Sequence, residues 1–138
     1  MSTEPAGVAF ARRMWADDGA SRGLGMEALV VEQDHAVVRM TVRGDMVNGH
    51  GICHGGFVFA LADSCFALAC NSRGAVTVAA GADISFTAPS RLGDVLTADG
   101  RVRTAYGRSG ITDVTVTRES DAQVVAEFRG RSRALPSA

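Results

Sequence analysis

The sequence contains no lysine, and all 14 of its basic residues are arginine. Charged residues make up 21% of the chain and the net charge is −1, so no electrostatic attraction to nucleic acid or to an anionic membrane is expected. Three cysteines form an odd and sparse set, which excludes a disulfide scaffold and favours a reducing compartment. With only three prolines and 46% hydrophobic residues, the composition also excludes a disordered chain.

Long hydrophobic runs are also missing. The longest apolar stretch, near 57–70, is too short for a membrane span and contains a carboxylate. Near the N-terminus, Arg12-Arg13 and Asp17-Asp18 occupy positions where a signal peptide needs an apolar run. We therefore expect a soluble, cytoplasmic protein whose 138 residues form one domain, 1–138, with residues 1–18 as an N-terminal helix or arm.

Hydrophobic periodicity predicts the order helix, two strands, helix, four strands. The first helix starts at Ser2-Thr3 with Pro5 in its first turn, and Gly19 ends it. The second helix covers 57–71 and is apolar on all sides. A bulge is predicted at Asp99-Gly100. The predicted strands are 26–32, 36–42, 76–86, 95–105, 111–118 and 123–133.

This order of elements predicts an α+β domain. Consecutive strands joined by short turns indicate an antiparallel sheet rather than βαβ units. Nothing else in the chain is available to cover a helix that is apolar all round, so the sheet is expected to wrap around it.

Asp63 is the residue that the hydrophobic pattern does not explain. It is the only formally charged residue among the 27 between Asp45 and Arg73, and no arginine lies three or four positions away to pair with it. An unpaired carboxylate in apolar surroundings is costly. The functional interpretation is a general base or nucleophile whose pKa is raised by its surroundings; the structural alternative is a buried aspartate satisfied by hydrogen bonds or by a distant arginine.

The segment His54-Gly55-Gly56 lies where a loop becomes the buried helix. The first turn of a helix offers free N–H groups and the positive end of the helix dipole, and glycine lets a ligand approach closely. A thioester or ester carbonyl placed there would have its developing oxyanion stabilised. The alternative is that Gly55 and Gly56 only permit a tight turn or close packing.

Gly55 and Asp63 are too far apart on one helix to act on the same carbonyl. Eight helical steps correspond to about 12 Å at 1.5 Å per residue. If both groups act on one carbon, they must come from two antiparallel helices, which requires a symmetric dimer with two sites at its interface.

Two further polar residues precede the helix. The Asn48 side chain is a candidate for orienting water or holding the carbonyl, although Asn-Gly is also a common turn pair. His54 is a candidate contact to the substrate carbonyl or a loop-fixing residue. A metal site from His50, Cys53 and His54 is set aside, because the spacing matches no closed four-ligand site.

The linked motif N-G-H-x3-H-G-G-x6-A-D, which runs from Asn48 to Asp63, resembles that of the hotdog-fold acyl-coenzyme A thioesterases. The likeness is strongest to the phenylacetate-degradation (PaaI-type) branch, and it extends to Ala69-Cys70-Asn71-Ser72 and to Phe128-Arg129-Gly130-Arg131-Ser132. The resemblance implies a sheet wrapped around a central helix, dimers with shared active sites and pairing of dimers into a homotetramer.

The resemblance also implies roles for individual residues. Asp63 activates water or attacks directly, the Gly55 amide polarises the carbonyl, and Asn48 and His54 assist. Gly56 is an expected substrate contact, as are Ser90 and Arg91 for the coenzyme A moiety. Some relatives have a Ser or Thr on the following strand, at the position where this chain has Ala79, with Thr77 nearby.

The expected reaction is hydrolysis of an arylacetyl-CoA, with phenylacetyl- or hydroxyphenylacetyl-CoA as the first candidates. Coenzyme A belongs to the substrate, so no separate cofactor and no metal are expected. Two alternatives stay open at this point. One is a hydratase or dehydratase that uses His54 with Asp63 as an acid/base pair, and the other is a non-catalytic acyl-CoA-binding sensor.

Overall fold

The computed structural model describes residues 3–136 and contains three α-helices and six strands. The helices are α1 (Ala6–Ala16), α2 (Gly19–Gly23) and α3 (Gly55–Cys70), and a short 3-10 helix covers Gly44–Met46. The strands are β1 (Glu27–Glu32), β2 (His35–Thr41), β3 (Thr77–Phe86), β4 (Val95–Tyr106), β5 (Ser109–Arg118) and β6 (Val124–Ala134). No helix within the described range is long and apolar enough to span a membrane.

The six strands form one antiparallel sheet in the order β1-β2-β4-β5-β6-β3. Helix α3 packs against all six strands, so the sheet curves around it. Alternate residues of β2, β4 and β5 are buried against α3, and those between them face outward. The predicted α+β hotdog architecture is confirmed.

Helix α3 supplies the centre of the core. Its alanine- and leucine-rich sequence has high helix propensity, and its end is fixed by Asn71, whose side-chain amide donates to the Ala67 carbonyl at 2.8 Å. The Asn71 side-chain oxygen accepts from Thr77 N at 2.9 Å, which ties the helix end to β3. The helix residues buried in the core are Val58, Leu61, Ala62, Cys65, Phe66, Leu68 and Ala69.

The N-terminal segment differs in detail from its prediction. Helix α1 begins one residue after Pro5, which is its N-cap rather than a first-turn residue, and it ends at Ala16. Gly19 does not end a helix; it begins α2, because Asp18 caps that helix by accepting from Ser21 N. The single-domain assignment of 1–138 stays a prediction, and Ser2, part of the predicted helix start, lies outside the described residues.

The bulge predicted at Asp99-Gly100 is wrong. Both residues pair in regular register with β2 and β5, and the irregularity in β4 lies between Val102 and Thr104. Gly100 is instead required by close packing, since a Cβ atom there would lie 2.8 Å from Cys65 Sγ of α3. The glycine lets the helix approach the sheet.

We predict that Gly100→Ala destabilises the protein by about 1–3 kcal/mol, the usual effect of overpacking a core. The double variant Gly100→Ala/Cys65→Ala should regain much of this loss, because removal of Sγ makes room for the new methyl group. Urea unfolding of both single variants and the double variant measures the coupling. Gly44→Ala, whose Cβ would meet nothing within 4 Å, is the control. A Gly100→Ala variant as stable as the parent would contradict this account of the glycine.

Candidate active site

The Asp63 carboxylate lies halfway along α3 and is half-buried. Among residues 3–136 it makes no hydrogen bond and no ion pair. Burial raises the pKa of Asp63 above the ordinary value of 3.8, and the negative charge of Asp18 raises it further. The carboxylate is therefore a stronger base than an exposed aspartate, which favours the functional interpretation over the structural one.

Asp63 belongs to a stripe of α3 that the rest of the described chain leaves partly uncovered. Gly56, Ala60, Asp63 and Ala67 recur at helical spacing, and none of them is fully buried, in contrast to the residues on the opposite face. The side chains of this stripe are short, so another helix would be able to approach closely.

The N-terminus of α3 has two free backbone donors. His54 is the N-cap, and its carbonyl accepts from Phe57 N at 3.0 Å. The N–H groups of Gly55 and Gly56 donate to no acceptor within residues 3–136. The His54 side chain is exposed, while its backbone N–H donates to the Met46 carbonyl at 2.8 Å. These amides are suited to bind an oxyanion.

Phe86 covers Gly55 and was not predicted as a site residue. A Cβ atom added at Gly55 would lie 2.8 Å from Cζ of the Phe86 ring, so close packing contributes to the need for glycine there. The ring remains 54% exposed and lines a surface pocket of about 510 Å³ together with Gly55. In the sequence, the only indication of a role for Phe86 was its position at the end of the predicted strand 76–86, where apolar residues alternate.

The Asn48 side chain organises the loop before α3. Its Oδ1 accepts from His50 N at 2.9 Å and from Ile52 N at 3.1 Å, which is the turn-forming role weighed as an alternative. Its side-chain amide group donates to no partner in the described part of the chain and remains available to a substrate. The structure therefore gives Asn48 a loop-forming role and leaves its proposed catalytic role a prediction.

The segment with Ser90 and Arg91 packs beside the same loop. Ser90 is buried and its carbonyl accepts from Cys53 N at 2.8 Å, so its visible role is to hold the loop. Arg91 pairs by a β-bridge with Ile52 and its side chain is exposed. The Arg91 guanidinium makes no ion pair or hydrogen bond with any residue from 3 to 136, and it stays a predicted contact to coenzyme A.

The predicted site residues fall into two groups along α3. Asn48, His54, Gly55, Gly56 and Arg91 gather around its N-terminus, whereas Asp63 lies eight residues further on the same continuous helix. At 1.5 Å per residue this separation is about 12 Å. One chain therefore does not bring the carboxylate and the Gly55 amide to one carbonyl.

The aromatic residues of α3 also divide. Phe66 is 1% exposed and belongs to the core, where its ring contacts that of Phe128. Phe59 is half-buried and meets Phe128 edge-on, with ring centroids 5.3 Å apart. Phe57, which is also half-buried, and Phe59 are therefore available to line a substrate pocket, whereas Phe66 is not.

We predict that Asp63→Asn makes the protein more stable at neutral pH. The native state binds the Asp63 proton more tightly than the unfolded state, so the ionised carboxylate destabilises the fold above its raised pKa. This gain should shrink as the pH falls through the raised pKa of Asp63 and vanish below the ordinary carboxyl value, where both states are protonated.

Urea unfolding at several pH values and one protein concentration tests this. The exposed Asp17→Asn variant, which removes the same charge, is the control. A less stable Asp63→Asn variant at neutral pH would show that the carboxylate has a stabilising partner.

Comparison with known proteins identifies the family. The family model of the thioesterase superfamily matches residues 50–125, which include the α3 N-terminus and Asp63. The acyl-coenzyme A thioesterase PaaI of Escherichia coli is 40% identical over 125 residues, covering 91% of this chain and 89% of that protein.

Solved structures give the same result. The E. coli PaaI protein, from the phenylacetic acid degradation operon, superposes with a TM-score of 0.91 at 38% identity over 96% of this chain and 95% of that one. A mutant of the phenylacetic acid degradation protein PaaI from Thermus thermophilus gives 0.81 at 36% identity over 86% and 100%. A Streptococcus mutans protein bound to acetyl-CoA gives 0.77 at 28% over 81% and 90%. The chain therefore belongs to the thioesterase superfamily and is an enzyme of that family.

Proposed function

We propose that this enzyme hydrolyses an arylacetyl-coenzyme A, with phenylacetyl- or hydroxyphenylacetyl-CoA as first candidates, to the free acid and coenzyme A. The observation that carries the proposal is the unpaired Asp63 carboxylate on a helix whose N-terminus presents the free amides of Gly55 and Gly56. Family membership supports thioester hydrolysis, and the E. coli relative is named an acyl-coenzyme A thioesterase.

The choice of an aryl group rests on two supports. The E. coli PaaI protein comes from the phenylacetic acid degradation operon, and the T. thermophilus relative is a phenylacetic acid degradation protein. In this chain, Phe86 presents an exposed ring beside Gly55, and Phe57 and Phe59 are half-buried on α3. Aromatic rings pack favourably edge-to-face or offset against another ring.

The proposed chemistry uses Asp63 in one of two ways. As a general base it takes a proton from water while the water oxygen bonds to the thioester carbon, and it returns a proton to sulfur as the C–S bond breaks. As a nucleophile it forms a mixed anhydride and expels the thiolate, and water then cleaves the anhydride. In both routes the Gly55 N–H stabilises negative charge on the carbonyl oxygen, with Gly56, Asn48 and His54 in support.

The proposal requires a dimer in which Asp63 of one subunit faces Gly55 of the other. Two surfaces support it: the uncovered stripe of α3 around Asp63, and β3, which pairs only with β6 among the described strands and so leaves one edge open. A second copy placed antiparallel would cover both. Pairing of such dimers into a tetramer stays a prediction.

Arg91 is the proposed contact for the coenzyme A phosphates. Its exposed guanidinium lies beside the loop that leads into α3, and arginine binds phosphate oxygens through paired N–H groups. Ser90 supports the same contact by holding the loop through its hydrogen bond from Cys53 N.

Initial rates over a matched panel of thioesters test the substrate. We expect kcat/KM for phenylacetyl- and hydroxyphenylacetyl-CoA to exceed that for hexanoyl- and octanoyl-CoA by about tenfold or more, the discrimination that a shaped apolar pocket provides. A thiol dye follows coenzyme A release, and Asp63→Asn, expected to lose about a thousandfold or more, is the blank.

Faster hydrolysis of the aliphatic thioesters would contradict the aryl assignment. Tight binding without thiol release across the whole panel would instead identify the acyl-CoA-binding sensor. A change in the acyl chain with the thioester left intact would identify a hydratase or dehydratase.

A complementation experiment tests the shared site. Gly55→Pro removes the amide hydrogen, and proline is compatible with the first helical position, where that N–H has no intrahelical acceptor. Gly55→Ala carries the same added Cβ next to Phe86 but keeps the N–H, so it is the matched control. We expect Gly55→Pro to be slower than Gly55→Ala by about a hundredfold or more.

We predict that two inactive variants regain activity when mixed. In a heterodimer of Asp63→Asn with Gly55→Pro, one site carries both defects and the other carries none. Unfolding and refolding an equimolar mixture should therefore restore about one quarter of the parent activity, since half of the dimers are mixed and half of their sites are intact. A mixture that stays inactive, although mass spectrometry detects heterodimers, would place the whole site in one subunit.

A further inference from the structure

A chain of hydrogen bonds links the short helix α2 to the helix that carries Asp63. Asp18, the N-cap of α2, accepts from Ser21 N at 2.9 Å and from the Ser21 hydroxyl at 2.6 Å. Ser21 Oγ lies 2.7 Å from Oγ of Ser64, the residue that follows Asp63. Ser21 is only 2% exposed, so this contact is sealed from water on the α2 side.

The direction of the protons follows from the chemistry of the three groups. An ionised carboxylate only accepts, so the single hydroxyl proton of Ser21 goes to Asp18. Ser21 Oγ must then act as the acceptor for Ser64, whose hydroxyl proton points toward α2. The hydrogen-bonded chain therefore fixes α2, and with it the Asp18 carboxylate, against α3 at the residue that follows Asp63.

Asp18 is also the charged group that acts on Asp63 from outside α3. Its negative charge adds to the effect of burial in raising the pKa of Asp63. Cys70, which also interacts electrostatically with Asp63, lies on α3 itself. The ion pairs formed by charged residues of the packed strands lie on the outer face of the sheet or in its turns. They include Arg39–Glu27, Arg39–Glu119, Arg101–Asp99, Arg103–Asp113, Arg118–Asp121, Arg129–Asp113 and Arg131–Asp83.

We propose that Asp18 is a positioning residue for the reaction at Asp63: through Ser21 and Ser64 it anchors α2 against α3 and so holds its own negative charge close to the reacting carboxylate. The inference rests on the proposed function, because it assigns Asp18 a role in the same hydrolysis. In this role Asp18 contacts neither the attacking water molecule nor the substrate.

The substitution Asp18→Asn tests the role with little disturbance of the fold. Asparagine keeps an oxygen that accepts from Ser21 N, so the cap survives. Its amide now donates to Ser21 Oγ, which reverses the direction of the chain. The negative charge is removed at the same time. Asp17→Asn removes one charge at the adjacent exposed position and leaves the hydrogen-bonded chain untouched, so it is the matched control.

The decisive readout is the acid limb of the kcat/KM profile against pH. Asp63 acts in its ionised form, so the rate falls as the pH drops through its pKa. We expect the midpoint of this limb to move to lower pH in Asp18→Asn and to stay in place in Asp17→Asn. The rate on the high-pH plateau should stay within about tenfold of the parent value, because the reacting groups are intact.

A direct titration separates this inference from the proposed function. The carboxyl carbon of Asp63, followed by NMR in protein labelled with ¹³C-aspartate, reports its protonation even if no thioester is hydrolysed; Asp63→Asn assigns the signal. A shift to lower pH in Asp18→Asn alone supports the proposal. Equal titration of parent, Asp18→Asn and Asp17→Asn overturns it, as does an equal shift in both variants.

Ser64→Ala provides a second, independent variant. It deletes the link between α2 and α3 and leaves the Asp18 charge and cap in place. We expect the Asp63 titration to move to lower pH in Ser64→Ala as well, because the negative charge of Asp18 is no longer held against α3. A titration identical to that of the parent would show that the hydrogen-bonded chain has no part in setting the base.

Discussion

The constraint on which the site depends is the rigidity of a single helix. Gly55 and Asp63 lie on one unbroken helix, eight residues apart, and a helix of this length does not bend to bring them together. The proposed reaction, which uses both the Gly55 amide and the Asp63 carboxylate on one carbonyl, therefore requires two copies of α3. Two surfaces leave room for a second chain. They are the uncovered stripe of small side chains around Asp63 and the open edge of β3.

The same helix has two opposed physical tasks. One face is apolar and fully buried against the sheet. Because Gly100 of β4 has no side chain, the helix can lie close to that strand. The other face keeps a carboxylate that has no partner within the described chain. Such a group is unfavourable for folding and favourable for chemistry, because the surroundings that disfavour its charge also make it a better base. The buried face stabilises the fold well enough to retain it.

Much of this was accessible from the sequence. The strand and helix order, the wrapped sheet and the isolated charge at Asp63 follow from hydrophobic periodicity, which depends on local spacing alone. The error at Gly100 occurred where a distant contact decides the local structure. Gly100 is a glycine because Cys65 of α3 approaches it, not because the strand bulges. The error at Gly19 was local, because the adjacent Asp18 caps a second helix that begins at this glycine.

The sequence by itself determined the kind of protein: one apolar helix, an antiparallel sheet, and a motif in which a single acidic residue follows two glycines at fixed helical spacing. Only the tertiary structure decided which groups surround that acid. Phe86 reaches Gly55 from a strand 31 residues away in the chain, and Asp18 reaches the neighbourhood of Asp63 through two serine hydroxyls 43 residues apart. The reason is physical, since hydrophobic spacing is repeated along the chain, whereas a contact between distant residues leaves no periodic trace in it.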